Sequence, residues 1–333
     1  MPVPDPGNLD PRAVVAAYSP SVAAARWTSL GHAGGFSGSR LWRGVGADGR
    51  EFCLKAHPPA ADPERLERVV HRWMEIARSA GLDFVPAVER ARGGGTVVYH
   101  DGRAWEVTAW MPGRADFRDR PTDARLSAAI TAIAQIHSAW SETQPPSPCP
   151  ALVRRWRALL DWEELLTAGW RPRFDGADPV RPHAEAAWTL LPTVLPAVWP
   201  PLMHWLRQPV PTQPCLCDVW HDHVLFNGER VTGVIDYAAA KVDHVAVDLA
   251  RLLGSLVPGD RKRMDVGLRV YASVRPIPHP ELVPLLDWTG TIVAAVHWVR
   301  WLYHDGREFA DRAAVANRVA EVVRRMQTVS SCR

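Results

Sequence analysis

The chain has 333 residues, 47% of them hydrophobic and 23% charged, with a formal net charge of +3. That length exceeds the commonest single-domain size and suits two lobes, each able to bury a core. No block of Lys or Arg stands out, so nucleic acid is not an expected partner.

Two apolar stretches test the membrane reading. Residues 188–206 carry no formal charge, but Pro192, Pro196, Pro200 and Pro201 predict repeated breaks in a spanning helix. Residues 283–303 contain Asp287, His297 and Arg300 and predict a buried helix instead. The Pro-rich start, residues 1–10, lacks the basic-then-apolar order of a signal peptide. The expectation is a cytoplasmic protein without a membrane partner. The 5 cysteines (Cys53, Cys149, Cys215, Cys217 and Cys332) are odd in number and unevenly spaced, which predicts reduced thiols. The 16 Trp are expected in cores or pocket walls.

In chain order, Asp10-Pro11 opens a short helix through Tyr18, with Asp as N-cap and Pro at the first helical position. Strands follow at residues 27–30, 40–45 and 51–55, joined by a Gly-rich loop and an Asp48-Gly49 turn. Asp62-Pro63 starts a helix with Leu66, Val69, Val70, Trp73 and Ala77 at helical spacing, and Gly81 ends it. Strands at 96–100 and 103–108 pair across Asp101-Gly102.

After Met111-Pro112-Gly113 the texture changes. Residues 126–140 predict an amphipathic helix with Ile130, Ile133, Ala134 and His137 along one side. Helical segments separated by prolines run to about Arg207. A β-rich island spans residues 214–237, with Asn227-Gly228 as its hairpin turn, and helix returns at 245–257 and 282–326. The fold class is α+β and two-lobed: a small antiparallel-sheet lobe over 1–112, a hinge near Ala109–Gly113, and a mostly helical lobe over 113–333.

Residues 31–39 lie between two strands. Glycines there let backbone N–H groups approach phosphates, and Ser37 and Ser39 add donors; a merely flexible hairpin is the alternative. The loop is not a Walker loop, because no Gly-Lys-Ser/Thr follows. Lys55 shares a strand face with Cys53, one hairpin after the loop, where a lysine holds ATP phosphates in kinase-like folds; a surface lysine is the alternative. Residues 215–237 place Asp218 before a short loop and Asp236 after a hairpin. Phosphoryl transfer needs such a pair, one carboxylate for the acceptor hydroxyl and one for magnesium.

Gly34-Gly35-Phe36-Ser37-Gly38, Lys55, Trp110-Met111-Pro112-Gly113, Val224-Leu225-Phe226 and Ile235-Asp236-Tyr237 together resemble the aminoglycoside phosphotransferase and choline kinase family of protein-kinase-like phosphotransferases. The likeness covers roughly residues 25–325. It implies a kinase using ATP and Mg2+ (Mn2+ possible) on a hydroxyl of a small molecule such as a sugar or amino alcohol. It further implies Asp218 as catalytic base and Asp236 as metal ligand. Gly34, Gly35, Ser37, Gly38 and Lys55 would lie on the phosphates, and Ala109 and Met111 on adenine. Asp248 would support the catalytic loop, and His137 is a core residue.

Departures accompany the likeness. Where the family reads His-Gly-Asp, four residues, then Asn, this chain has Leu216-Cys217-Asp218 and His223. His223 as a second metal ligand would favour manganese over magnesium, which prefers hard oxygen donors. Aligning Asp222 and Asn227 instead puts Asn227 in its own hairpin turn. The carboxylate partner of Lys55 is open between Glu67 and none, with His71 near the family's position. Two other readings stand: a catalytically impaired nucleotide-binding scaffold, and a zinc site of Cys215, Cys217, His221 and His223.

Overall fold

The structure is a computed structural model that describes residues 9–31, 36, 38–141, 144–309 and 311–331, with side chains through Thr328. The chain divides into two compact units. One holds the residues up to Gly113 together with Thr232–Ala238; the other holds Arg114–Val231 and the residues from Ala239 onward. The segment carrying Asp236 therefore belongs with the N-terminal unit, although sequence order places it after the hinge.

The first unit opens with two short helices, α1 (Arg12–Val15) and α2 (Pro20–Ala23), and then a five-stranded antiparallel sheet. Its strands are β1 (Arg26–Gly31), β2 (Arg40–Val45), β3 (Glu51–Ala56), β4 (Val97–His100) and β5 (Arg103–Ala109), in the order β1-β2-β3-β5-β4. The β4–β5 turn is what Asp101-Gly102 predicts: both residues have positive φ, 48° and 70°, as a tight hairpin twist requires. Alternation along β3 buries Phe52, Leu54 and Ala56 and turns Cys53 and Lys55 to the other face. Those buried residues pack with Val14, Tyr18, Val22, Trp42, Trp105 and Val107, and Trp42 stacks on Trp105 at 5.3 Å between centroids.

The predicted helix from Asp62 forms as α3 (Pro63–Arg65), a π-helical turn over Leu66–His71, and α4 (Arg72–Ser79). Asp62 caps it by accepting the Arg65 N–H at 3.1 Å. The wider turn inserts one residue into the helical phase, so consecutive Val70 and His71 are both buried.

The second unit combines a three-stranded antiparallel sheet with long helices. The sheet is β10 (Lys241–Asp243), β7 (Pro209–Cys215) and β6 (Gln144–Pro148), in that order. The β-rich island thus begins at Pro209 rather than at residue 214. β6 was not predicted: Gln-Pro-Pro-Ser-Pro has poor strand propensity, and prolines are tolerated only at an edge, which is the place it takes. The helices are α5 (Asp123–Ala139), α6 (Pro150–Thr167), α7 (Arg181–Trp205), α8 (Ala246–Leu256), α9 (Arg261–Val274), α10 (Leu282–Tyr303) and α11 (Arg312–Ser331). α9 was missed, and the stretch predicted as helix over 282–326 is two helices. The hairpin across Asn227-Gly228 is β8 (Val224–Asn227) with β9 (Arg230–Val234).

α7 corrects the expectation that prolines break the chain between residues 188 and 206. One helix runs through Pro192, Pro196, Pro200 and Pro201. Pro192, Pro196 and Pro200 recur every fourth residue on the exposed side, where the carbonyls they leave unbonded meet water. Ala184, Ala187, Leu191, Val194, Val198 and Leu202 form the buried side. α10 is long and apolar enough to cross a membrane, but most of it is buried, packed on α6, α7, α8 and α11.

Candidate active site

In the first unit, β3 and the segment after β9 bring together the two residues predicted to handle phosphate and metal. Lys55 Nζ lies 2.7 Å from Asp236 Oδ1, with the lysine 13% and the aspartate 42% exposed. Asp236 has φ 64°, a left-handed conformation that costs a non-glycine residue free energy. Hydrogen bonds flank it on both sides: Val234 N–H to Phe84 O at 2.8 Å, and Arg65 to Ala238 O at 3.0 Å. A carboxylate held this way, with hard oxygens facing outward, suits a magnesium ion.

Gly38 has φ 79° and accepts a hydrogen bond from Arg103 at 3.3 Å. Gly34, Gly35 and Ser37, predicted on the phosphates, lie outside the described residues. At the hinge, the Ala109 N–H donates to Ala87 O at 2.8 Å and the Trp110 N–H to Glu51 O at 3.0 Å. The Ala109 N–H, predicted on adenine, is thus already engaged. The Met111 N–H meets no acceptor among the described residues.

Glu67 is not the partner of Lys55. It accepts the Thr96 N–H at 3.0 Å. The buried carboxylate near the lysine is Glu106 of β5, directly opposite Lys55 in the β3–β5 register. His57 Nε2 lies 3.0 Å from Glu106 Oε1, and His71 Nε2 lies 2.5 Å from Oε2. Burial pushes the Glu106 carboxyl up, but His57 and then His71 hold it well below the usual range. Burial likewise pushes the Lys55 ammonium down, and Asp236 and Glu106 more than reverse that. Sequence reasoning missed Glu106 and His57, because a lone glutamate on an alternating strand carries no signal of its own.

In the second unit, Asp218 sits in the coil before a 3-10 turn, His221–His223. Its side chain is 44% exposed. Oδ1 accepts from Trp220 Nε1 at 2.6 Å and from the Arg251 guanidinium, and Oδ2 meets no donor among the described residues. Arg251 stacks 4.5 Å over the Trp220 ring, and Arg318 lies 4.4 Å over the same ring. Arg251 and Trp220 are supports that sequence reasoning did not identify.

His223, in the place of the family's Asn, has Nδ1 2.8 Å from Asp218 O. Asp222 instead pairs with His221 Nε2 at 3.0 Å, and that hydrogen bond lowers its carboxyl below the usual value, ahead of burial's opposing effect. Asn227 ends β8 at the hairpin turn. Asp248 holds the loop from beneath, accepting from Leu216 N–H, Cys217 N–H and His137.

The structure does not gather Cys215, Cys217, His221 and His223 into a metal set. Cys215 Sγ lies 3.4 Å from Asp243 O, and Cys217 Sγ 3.8 Å from Lys241 O. Burial pushes both thiols above their ordinary pKa, away from the thiolate zinc requires. The His137, Cys215 and Asp248 side chains do converge, but the Asp248 oxygens are already taken by the loop's N–H groups.

A unit whose small antiparallel sheet sets a lysine beside an aspartate, with a helical unit bearing a supported aspartate, defines a protein-kinase-like phosphotransferase. The chain matches the phosphotransferase enzyme family over residues 29–283 and belongs to it. A homoserine kinase of Methylocella silvestris is 29% identical over 197 residues, covering 58% of this chain and 56% of that protein. The match thus spans little more than half of that curated relative. Among solved structures, an aminoglycoside phosphotransferase from Alicyclobacillus acidocaldarius superposes with TM-score 0.59 at 17% identity, covering 97% of this chain and 96% of the other. Spectinomycin phosphotransferase, solved with ADP and spectinomycin, superposes with TM-score 0.58 at 10% identity, covering 91% and 93%. These likenesses establish the fold.

Proposed function

We propose that the chain transfers the γ-phosphate of ATP to a hydroxyl of a small molecule. The observation that carries this reading is the Lys55–Asp236 pair, a cation suited to phosphate and a carboxylate suited to a metal, brought together within the first unit. Family membership and the ADP-bound relative support the choice of nucleotide. Homoserine, named for the curated relative, is the first acceptor to test. ATP use makes the cytoplasm the compartment this reading requires.

Magnesium, when bound, supplies charge neutralisation at the β- and γ-phosphate oxygens. Asp236 holds it. Lys55 binds the α- and β-phosphates, with Gly34, Gly35, Ser37 and Gly38 as the backbone cradle, and Met111 N–H binds adenine. Asp218 presents Oδ2 to the acceptor hydroxyl while Arg251 and Trp220 fix Oδ1, so its work is orientation more than proton abstraction. His223 would be a second metal ligand, of a kind that favours manganese. A non-catalytic scaffold has no use for an Asp218 supported in this manner.

The test is ATP consumption against homoserine, amino alcohols, sugars and aminoglycosides. Asp218→Asn is expected to abolish transfer and leave nucleotide binding intact, whereas Asp236→Ala weakens metal-dependent nucleotide binding as well. Full activity in Asp218→Asn with a dead Asp222→Asn would overturn the assignment of the loop. No consumption with any acceptor would overturn the reaction.

A further inference from the structure

In protein kinases the lysine on β3 takes its carboxylate partner from the neighbouring helix. Here that helix supplies none: Glu67 is committed to the Thr96 N–H, and residue 71 is a histidine facing Glu106. The carboxylate comes from the sheet. Glu106 stands directly opposite Lys55 in an antiparallel pair, where side chains project from the same face about 4.5–5.5 Å apart at Cβ.

The surroundings of Glu106 are those of an anion being kept as one. Each oxygen has its own imidazole, His57 on Oε1 and His71 on Oε2. His71 Nδ1 lies 2.7 Å from Thr96 Oγ1. That contact anchors the ring with Nε2 facing Glu106. The two rings hold the carboxylate in place, and Glu106 in turn helps to hold the Lys55 ammonium charged. The ammonium across the register provides the countercharge. At present Lys55 Nζ rests on Asp236, not within 4.0 Å of Glu106. A cation at Asp236 would compete for that oxygen, and Glu106 is the anion that remains.

Resting on the phosphotransferase reading, we propose that Glu106, clamped between His57 and His71, is the positioning residue that retains Lys55 for the nucleotide when the metal claims Asp236. The helix-borne carboxylate has been replaced by a strand-borne one.

The experiment is calorimetric titration of the full chain with Mg-ATP, comparing wild type, Glu106→Gln, Lys55→Met and the double variant. With Lys55 present, Glu106→Gln is expected to weaken binding about tenfold; with Met at 55 it should add nothing, because coupled residues are non-additive. Adding His71→Glu to Glu106→Gln returns a carboxylate from the helix and should recover most of the loss, which a merely structural role would not allow. Equal weakening in both backgrounds, or none, overturns the proposal. If Glu106→Gln does not fold, Glu106→Asp enters the same cycle: it keeps the anion and withdraws it from Lys55 by one methylene. Weakening confined to the Lys55 background supports the proposal there, and its absence overturns it. Wild type that binds no nucleotide brings down the phosphotransferase reading and this inference together, whereas normal binding by wild type and Glu106→Gln alike brings down this inference alone.

Discussion

Asp248 grips the backbone of Cys217: its Oδ1 accepts the Cys217 N–H at 2.6 Å while Oδ2 takes the Leu216 N–H at 2.7 Å. Cys217 has φ 63°, a left-handed conformation that a cysteine adopts only under constraint. Behind Asp248 stands His137 Nε2 at 2.9 Å, and behind that Tyr271 Oη, 2.8 Å from Nδ1. The chain of hydrogen bonds ends on the residue before Asp218, so a buried core group sets the direction of the candidate catalytic side chain.

Asp248→Asn turns one acceptor into a donor that faces N–H groups. With no water to compensate, the expected loss is about 3 kcal/mol of unfolding free energy. Urea unfolding measures it. Transfer should fall with it, because the loop loses the anchor of its strained residue. A change below a few tenths of a kcal/mol would mean that the loop holds its conformation without Asp248.

Arg251→Gln removes the guanidinium from Asp218 Oδ1 and from the Trp220 ring. Trp220 Nε1 still donates, but one hydrogen bond on an exposed carboxylate leaves its rotamer free. A misplaced orienting group costs about 10- to 100-fold in turnover. The expected outcome is a kcat lowered by that factor with the KM for ATP nearly unchanged. An unchanged kcat would show that Trp220 alone suffices.

The parts of this architecture that were legible in sequence are those encoded locally. Asp101-Gly102 and Asn227-Gly228 fix hairpins through turn chemistry, and alternation in β3 gives the face of Lys55. Asp218 and Asp236 stand out as a pair through their order around the hairpin. What escaped depends on distant chain segments or on helical phase. Arg251 reaches Asp218 across 33 residues, and Lys55 meets Asp236 across 181. His71 turns inward only because a π-helical turn shifts the phase, and Glu106 is an acid only its strand partners distinguish from a solvated one. β6 runs against its own propensities and is specified by the edge of β7.

His244 gives the second unit an acid-sensitive element. It is fully buried, and burial first, then His279 and His137, push its pKa down to about 4 from 6.5. Its Nδ1 accepts the Ala246 N–H at 3.2 Å at the start of α8. The folded pKa lies below the unfolded one, so the imidazole is neutral in both states above pH 6.5. Between 6.5 and 4 only the unfolded chain takes up the proton, and stability falls as pH falls. At about 1.4 kcal/mol per pH unit across that window, the loss amounts to about 3 kcal/mol. His244→Asn keeps an acceptor for Ala246 and cannot titrate. Its stability should therefore fall less than wild type's by about that amount between pH 7 and pH 4. Parallel curves over the range would show that His244 charges freely in the folded protein.

The prolines of α7 offer a test of which face of a helix bears its cost. Pro196 is exposed, lacks the N–H that would bond the Pro192 carbonyl, and lies two residues before buried Val198. Interior proline costs a helix about 3 kcal/mol relative to alanine, offset in part by the freedom proline removes from the unfolded chain. Pro196→Ala is accordingly expected to stabilise the protein by about 1–2 kcal/mol. Val198→Ala should act in the opposite direction, by about 2 kcal/mol, because it empties the side packed on α10. Urea midpoints at constant m-value decide the matter. Destabilisation by both substitutions would mean that the proline ring contributes packing of its own, and the water-facing account of α7 would have to be abandoned.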